Sequence, residues 1–212
     1  MRKLIMFVPI WLLLLTAGCT QEKDEMQHGL DGILSEVQKH EKEITDYENQ
    51  LDSLEKKEQT LFKKTTGLSI EDREALESGV SRLQASLEER SGIMGKEEEE
   101  IDAAEETAKQ LTTLPPAGTD EGKKAVAKLK SALDTRYELH RTVAANYMEL
   151  LEKQRKVYGL LVDENVKRAE LDEAIGDVND QQSKLADAVR LFNESTAEVN
   201  EALKETQQPG DE

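Results

Sequence analysis

The chain has 212 residues, 34% of them charged and 4% aromatic, with a net charge of −17 and a single cysteine. An acid excess of this size repels phosphate backbones and excludes nucleic acid as a partner, while one thiol excludes an intramolecular disulfide. So few aromatics leave long helices or disorder, and the spacing of the apolar residues decides for helices.

Arg2 and Lys3 precede an apolar run from Leu4 to Leu15, interrupted by Pro9 and followed by Ala17-Gly18-Cys19. A basic start, an apolar stretch and small residues are the layout of a secretory signal peptide, and about a dozen apolar residues are too few for a permanent span. Cys19 stands where a bacterial lipobox places the thiol that takes a diacylglyceryl group, with Thr16 in place of the commoner Leu. Residues 1–18 are therefore expected to be a lipoprotein signal peptide and Cys19 the lipidation site. Two acyl chains, at about 0.8 kcal/mol per buried CH₂, would hold the mature N-terminus in the bilayer. Removal of Arg2 and Lys3 takes the net charge from −17 to −19 over the remaining 194 residues, and Trp11, the sole Trp, goes with them.

Residues 19–28 are polar and predict a lipidated flexible tether. From Leu30 the apolar residues fall at 3-4 spacing: Leu30, Ile33, Val37, Ile44, Tyr47, Leu51, Leu54, Leu61 and Leu68. These fill the a and d positions of heptads, with His40, Glu58 and Thr65 as breaks in the seam. Thr66-Gly67 predicts a helix end, since glycine can take the left-handed conformation there. Ser69 with Asp72 predicts an imperfect capping box. The next seam runs Leu76, Val80, Leu83, Leu87, Met94, Ile101, Ala104, Ala108 and Leu111, broken by Arg90 and Glu97. Gly92 and Gly95, each costing about 1 kcal/mol against alanine in a helix, predict a local kink or fraying. Pro115-Pro116-Ala117-Gly118 is a firm stop.

From Asp120 to about Thr206 one heptad frame continues, and taken literally it is a single helix of roughly 130 Å. Gly159 and Asp163-Glu164-Asn165, with Glu164 and Arg168 on seam positions, predict a break instead. Cutting there yields four segments of matched length. The expected fold is all-α: an elongated antiparallel bundle of four helices with coiled-coil-like heptads over residues 29–206, and a disordered tail at 207–212. The alternative is three helices, the last very long. Residues 69–113 carry 5 basic and 13 acidic side chains and residues 119–160 carry 9 and 6, so the second and third helices should pair antiparallel through flanking charges.

The chemistry of catalysis is sparse. His40 and His140 fall on seams of different helices, where polar residues set register, and His28 lies in the tether. Only Glu25-Met26-Gln27-His28 has the Glu-x-x-His spacing of a carboxylate-bridged metal centre, and such a centre needs two copies on helices. Gly92 to Lys96 and Gly118 to Lys123 lack the glycine spacing and the Ser or Thr of a phosphate loop, and no Gly-x-Ser-x-Gly is present. Glu97 to Glu100 point in different directions on a helix and predict a solvated face. No catalytic residue, metal ligand or cofactor site follows from these residues. With Tyr47, Tyr147 and Phe192 at seam positions, few aromatics remain to serve as glycan platforms.

The lipobox, the acidic helical body, the heptad-bearing C-terminal half and the polar tail together resemble the YkyA-like cell-wall-binding lipoproteins of Gram-positive bacteria. The segment Tyr158-Gly159-Leu160-Leu161-Val162-Asp163-Glu164-Asn165, followed by Ala169 to Ile175, carries the resemblance beyond the lipobox. It implies a lipid-anchored protein on the extracytoplasmic face of the membrane, facing the wall. The expected role is a non-catalytic scaffold, spacer or adaptor, the alternative being an envelope hydrolase or the activator of a cell-wall hydrolase. Expected partners are the bilayer through Cys19, and cell-wall polymer or another envelope protein. Leu160 and Val162, apolar beyond what the seam needs, are the candidate partner contact.

Overall fold

A computed structural model describes residues 21–69, 71–115 and 119–207 of the chain. Within them lie four long helices and no strand: α1 Gln21–Thr66, α2 Arg73–Lys109, α3 Asp120–Leu160 and α4 Arg168–Gln207, with a short 3₁₀ turn at Gln110–Thr113 after α2. The all-α, four-helix expectation holds. The three-helix alternative fails, because α3 and α4 are separate helices. The signal peptide, Cys19, Pro116 to Gly118 and Pro209-Gly210 lie outside the described residues.

The breaks between helices follow local chemistry. After α1, the amide of Leu68 donates to the Thr65 carbonyl (3.2 Å) and the Thr66 hydroxyl donates to the Phe62 carbonyl (2.9 Å). Gly67 stands where expected, but its φ lies outside the left-handed region, so the end is a tightened turn and not a left-handed cap. Ser69 does not cap α2. Its hydroxyl accepts from the Glu71 amide (3.3 Å), and the Asp72 carbonyl takes the first helical bond, from Leu76 (3.0 Å). Thr119 caps α3 through its hydroxyl, which accepts from the Gly122 amide (3.1 Å). Beyond α3, the Asp163 carboxylate accepts from the Asn165 amide (2.8 Å), the capping turn that Asp-Glu-Asn predicts.

Two further expectations need correction. Residues 21–28 belong to α1 and are not a flexible tether. Their Glu, Gln and Lys favour helix, and Met26 packs against the core. Nor does α2 break at Gly92 or Gly95. Around the two glycines Arg90, Ile93, Met94 and Glu97 are all buried, and that packing outweighs the propensity cost.

The helices contribute to two compact units. The first takes α1 up to Thr45, residues 98–142, and α4 from Val189. Its core joins Leu30, Leu34, Val37 and Ile44 of α1 with Ile101, Ala104, Ala108, Leu129, Leu133, Tyr137, Val199, Ala202 and Leu203. Here α3 and α4 run antiparallel: Lys128 pairs with Glu205 and, eight residues on, Arg136 donates to Thr196.

The second unit takes residues 46–97 and 143–188. Its buried apolar groups include Leu51, Val80, Leu83, Leu87, Leu150, Leu151, Val157, Ala174 and Leu185. Glu58 meets Ser86 while Thr65 meets Gly79, which makes α1 and α2 antiparallel. Ser91 meets Met148 while Glu88 meets Arg155, which does the same for α2 and α3. With Arg141 on Asp102 and Glu105 in the first unit, these are the charge pairs that the uneven charge of the two segments predicts.

Candidate functional site

On α1 the strict seven-residue series Leu30, Val37, Ile44, Leu51, Glu58 and Thr65 is buried throughout, so its two polar members lie inside. Glu58 is 4% exposed and Arg90 of α2 only 2%. These two breaks in separate seams meet: Arg90 donates to Glu58 (2.8 Å), to Glu55 (3.1 Å), to the Gln154 side chain (3.2 Å) and to the Tyr147 hydroxyl (2.9 Å). The Tyr147 hydroxyl donates onward to Glu55 (2.8 Å). Glu58 also accepts from Tyr158 (2.8 Å) and Ser86 (2.7 Å). The guanidinium lies 5.2 Å from the Tyr147 ring centroid, and the Phe62 and Tyr158 rings sit 5.8 Å apart beside it.

Electrostatics fix the protonation states. Burial opposes the charge on Arg90, but Tyr147, Glu58 and Glu55 outweigh it and hold the guanidinium above its ordinary range. Burial raises the Tyr147 hydroxyl well above its ordinary value, with Arg90 opposing and Glu55 reinforcing the shift. Burial and the adjacent Glu58 do the same to Tyr158. The cluster is a set of mutually bonded donors and acceptors, its guanidinium held charged and its two tyrosine hydroxyls held protonated.

The first unit holds a second such centre. Arg136 of α3 forks onto Glu41 of α1 through two bonds (2.6 and 2.8 Å) and donates to Thr196 of α4 (3.1 Å). It lies 4.7 Å from the Phe192 centroid and 6.0 Å from that of Tyr137. The sequence reading missed this pair. Glu41 follows Val37 by four residues and Arg136 follows Leu133 by three, so the spacing was present but the polar side chains hid it.

The other candidates separate. His40 bonds to Glu100 (2.7 Å), whereas His140 is fully buried with its ring edge-on to Phe192 at 5.5 Å. His28 is exposed, and no group of three or more metal-ligating side chains forms among the described residues. Of the four-glutamate run, Glu98 and Glu99 are solvated and Glu100 faces His40, but Glu97 is buried, contrary to expectation. Its seam position decides this. Ile175, also placed on the seam, is instead 40% exposed, and Leu191 is 41% exposed. Tyr147 and Phe192 are buried and Tyr47 is half-buried, so no described aromatic side chain is exposed. Leu160, the last residue of α3, and Val162, in the turn after it, are half-buried, and the Val162 carbonyl accepts from Arg73 (2.8 Å).

Comparison with known proteins follows this geometry. The model of the YkyA family, described as "Putative cell-wall binding lipoprotein", matches residues 26–209. A relative from Bacillus subtilis (strain 168), "Uncharacterized lipoprotein YkyA", is 28% identical over 204 residues, spanning 92% of this chain and 86% of that one. A crystal structure of a conserved protein of unknown function from Staphylococcus aureus has a TM-score of 0.76 at 19% identity, covering 88% of this chain and 92% of the other. That likeness is one of fold.

Proposed function

We propose a function on the basis that this chain belongs to the YkyA family of lipoproteins. In this reading residues 1–18 are removed, Cys19 carries the lipid, and the helical body stands on the extracytoplasmic face of the membrane, toward the wall. There it serves as a scaffold, spacer or adaptor and catalyses nothing. One observation carries the non-catalytic part. Arg90 is spent on Glu58, Glu55, Gln154 and the Tyr147 hydroxyl, and Arg136 on Glu41 and the Thr196 hydroxyl. A hydrolase, or the direct activator of one, needs an acid, base or nucleophile facing a concave opening. One surface depression, along Ser35, Lys39, Lys42 and Thr45, is lined by α1 alone.

Leu160 and Val162 are the proposed contact for an envelope partner. Replacing both by Ser should leave the melting temperature within a few degrees while a crosslink to that partner is lost. A cooperative loss of stability would instead mark them as core. The anchor itself is tested by Cys19→Ser. The variant should leave the membrane fraction or stay at precursor mass, and normal processing with full membrane retention would contradict the reading.

A further inference from the structure

α1 starts at Gln21, so the sequence leaves Thr20 alone between Cys19 and the helix. A chain spans at most about 3.6 Å per residue, and this link can therefore reach no more than about 7 Å. No described helix is long and apolar enough to cross a membrane. A bilayer that holds Cys19 must then have the start of α1 at its surface.

Three other segments of the first unit lie at that end. Glu41 and Arg136 meet about 30 Å along α1 and 24 Å along α3, so the two helices run parallel and start within about one turn of the same level. Lys128 pairs with Glu205, which brings the end of α4 beside the first turns of α3. Leu111 and Leu114, after α2, pack against the core that holds Leu30, and a Cβ at Gly29 would lie 2.7 Å from a Leu114 methyl group. Thr112, Thr113, Lys123 and Lys124 are exposed at this end.

We propose that this end of the first unit rests on the headgroup layer of the bilayer that holds Cys19. The partner of this surface is the membrane itself, and α1 rises from it with no slack. The inference rests on the lipidation reading above and adds the protein–bilayer contact that a flexible tether would not impose. Attraction is not its cause, because Asp120 and Glu121 stand beside Lys123 and Lys124 and the chain carries a net charge of −17. That excess is repelled by anionic headgroups and acts against tipping, which would lay acid-rich flanks on the lipid. The short link holds the end down.

The test uses the full lipidated chain in phosphatidylglycerol–phosphatidylethanolamine vesicles. Cys19 is the only cysteine, and its thiol is taken by the lipid, so a single introduced cysteine carries the only fluorophore. Thr113→Cys and Lys124→Cys label the proposed contact. Lys42→Cys and Glu138→Cys, on exposed positions of α1 and α3, lie about 32 and 27 Å along their helices from the starts. Energy transfer to a headgroup acceptor should be at least two-fold stronger at the first pair, with helicity and melting unchanged in all four variants. Inserting twenty Gly-Ser residues after Thr20, with a reach of about 25 Å, should bring the two pairs together. Equal transfer at all four positions, stronger transfer at Lys42 or Glu138, or a difference that survives the insertion would overturn the proposal. Wild type distinguishes this failure from that of the anchor. If it takes the label at Cys19 and does not float with the vesicles, the anchor is refuted and the contact with it. If it takes no label and floats, yet the four variants transfer equally, the anchor stands and the contact alone is refuted.

Discussion

At the scale of single residues, the two buried arginines dominate the account. Arg90 and Glu58 are each nearly inaccessible, so removing one leaves the other charged in a low-dielectric interior. Arg90→Met should cost about 3–5 kcal/mol in denaturant unfolding. Adding Glu58→Leu should recover much of that, because a well-packed apolar pair replaces a buried ion pair at little net cost. If the double variant were no more stable than the single, the cost would lie in lost packing and not in an orphaned charge. Periodicity showed both residues as faults in their seams, yet it could not show that one fault answers the other. Thirty-two residues separate them, and only the antiparallel return of α2 brings them together. Glu41 and Arg136 were hidden more completely, being 95 positions apart on parallel helices.

Helices were more legible than cores, and the reason is local chemistry. Glycine, proline and the Asp-Glu-Asn turn act on their own neighbours, so the three breaks could be located from them. Gly92 and Gly95 misled because a helix is held by its buried face as well as by propensity. A Cβ at Gly92 would meet nothing within 4 Å, whereas one at Gly79 would lie 2.5 Å from the Thr65 hydroxyl and 2.8 Å from its methyl group. Gly92→Ala should therefore stabilise the protein by up to about 1 kcal/mol. Gly79→Ala should destabilise it, since the buried Thr65 Cβ itself would lie 3.1 Å away and a side-chain rotation does not move that atom. Melting curves of the two variants check the opposite signs, and a shift in the same direction for both would refute the close approach of α1 and α2 at this level.

For the molecule as a whole, the buried tyrosines set a limit on the alkaline side. Burial raises Tyr137, Tyr147 and Tyr158 above their ordinary value near 10. A raised folded value means that the fold favours the protonated hydroxyl. The resulting stability is complete below pH 10 and is lost as pH rises beyond it, where the unfolded chain ionises first. Helical circular dichroism and tyrosinate absorbance should therefore change together above pH 10. Full ionisation with intact helices would show that the hydroxyls are accessible.

The two buried arginines, each held by a glutamate, suit the proposed role of a protein that holds position. Family membership supplies the lipoprotein character, and the family's description names cell-wall binding. The most direct test incubates the purified protein with wall sacculi and measures two quantities at once, the fraction that pellets and the muropeptides released. Pelleting without muropeptide release is the predicted result. Release above the buffer control, or failure to pellet at low salt, would contradict it.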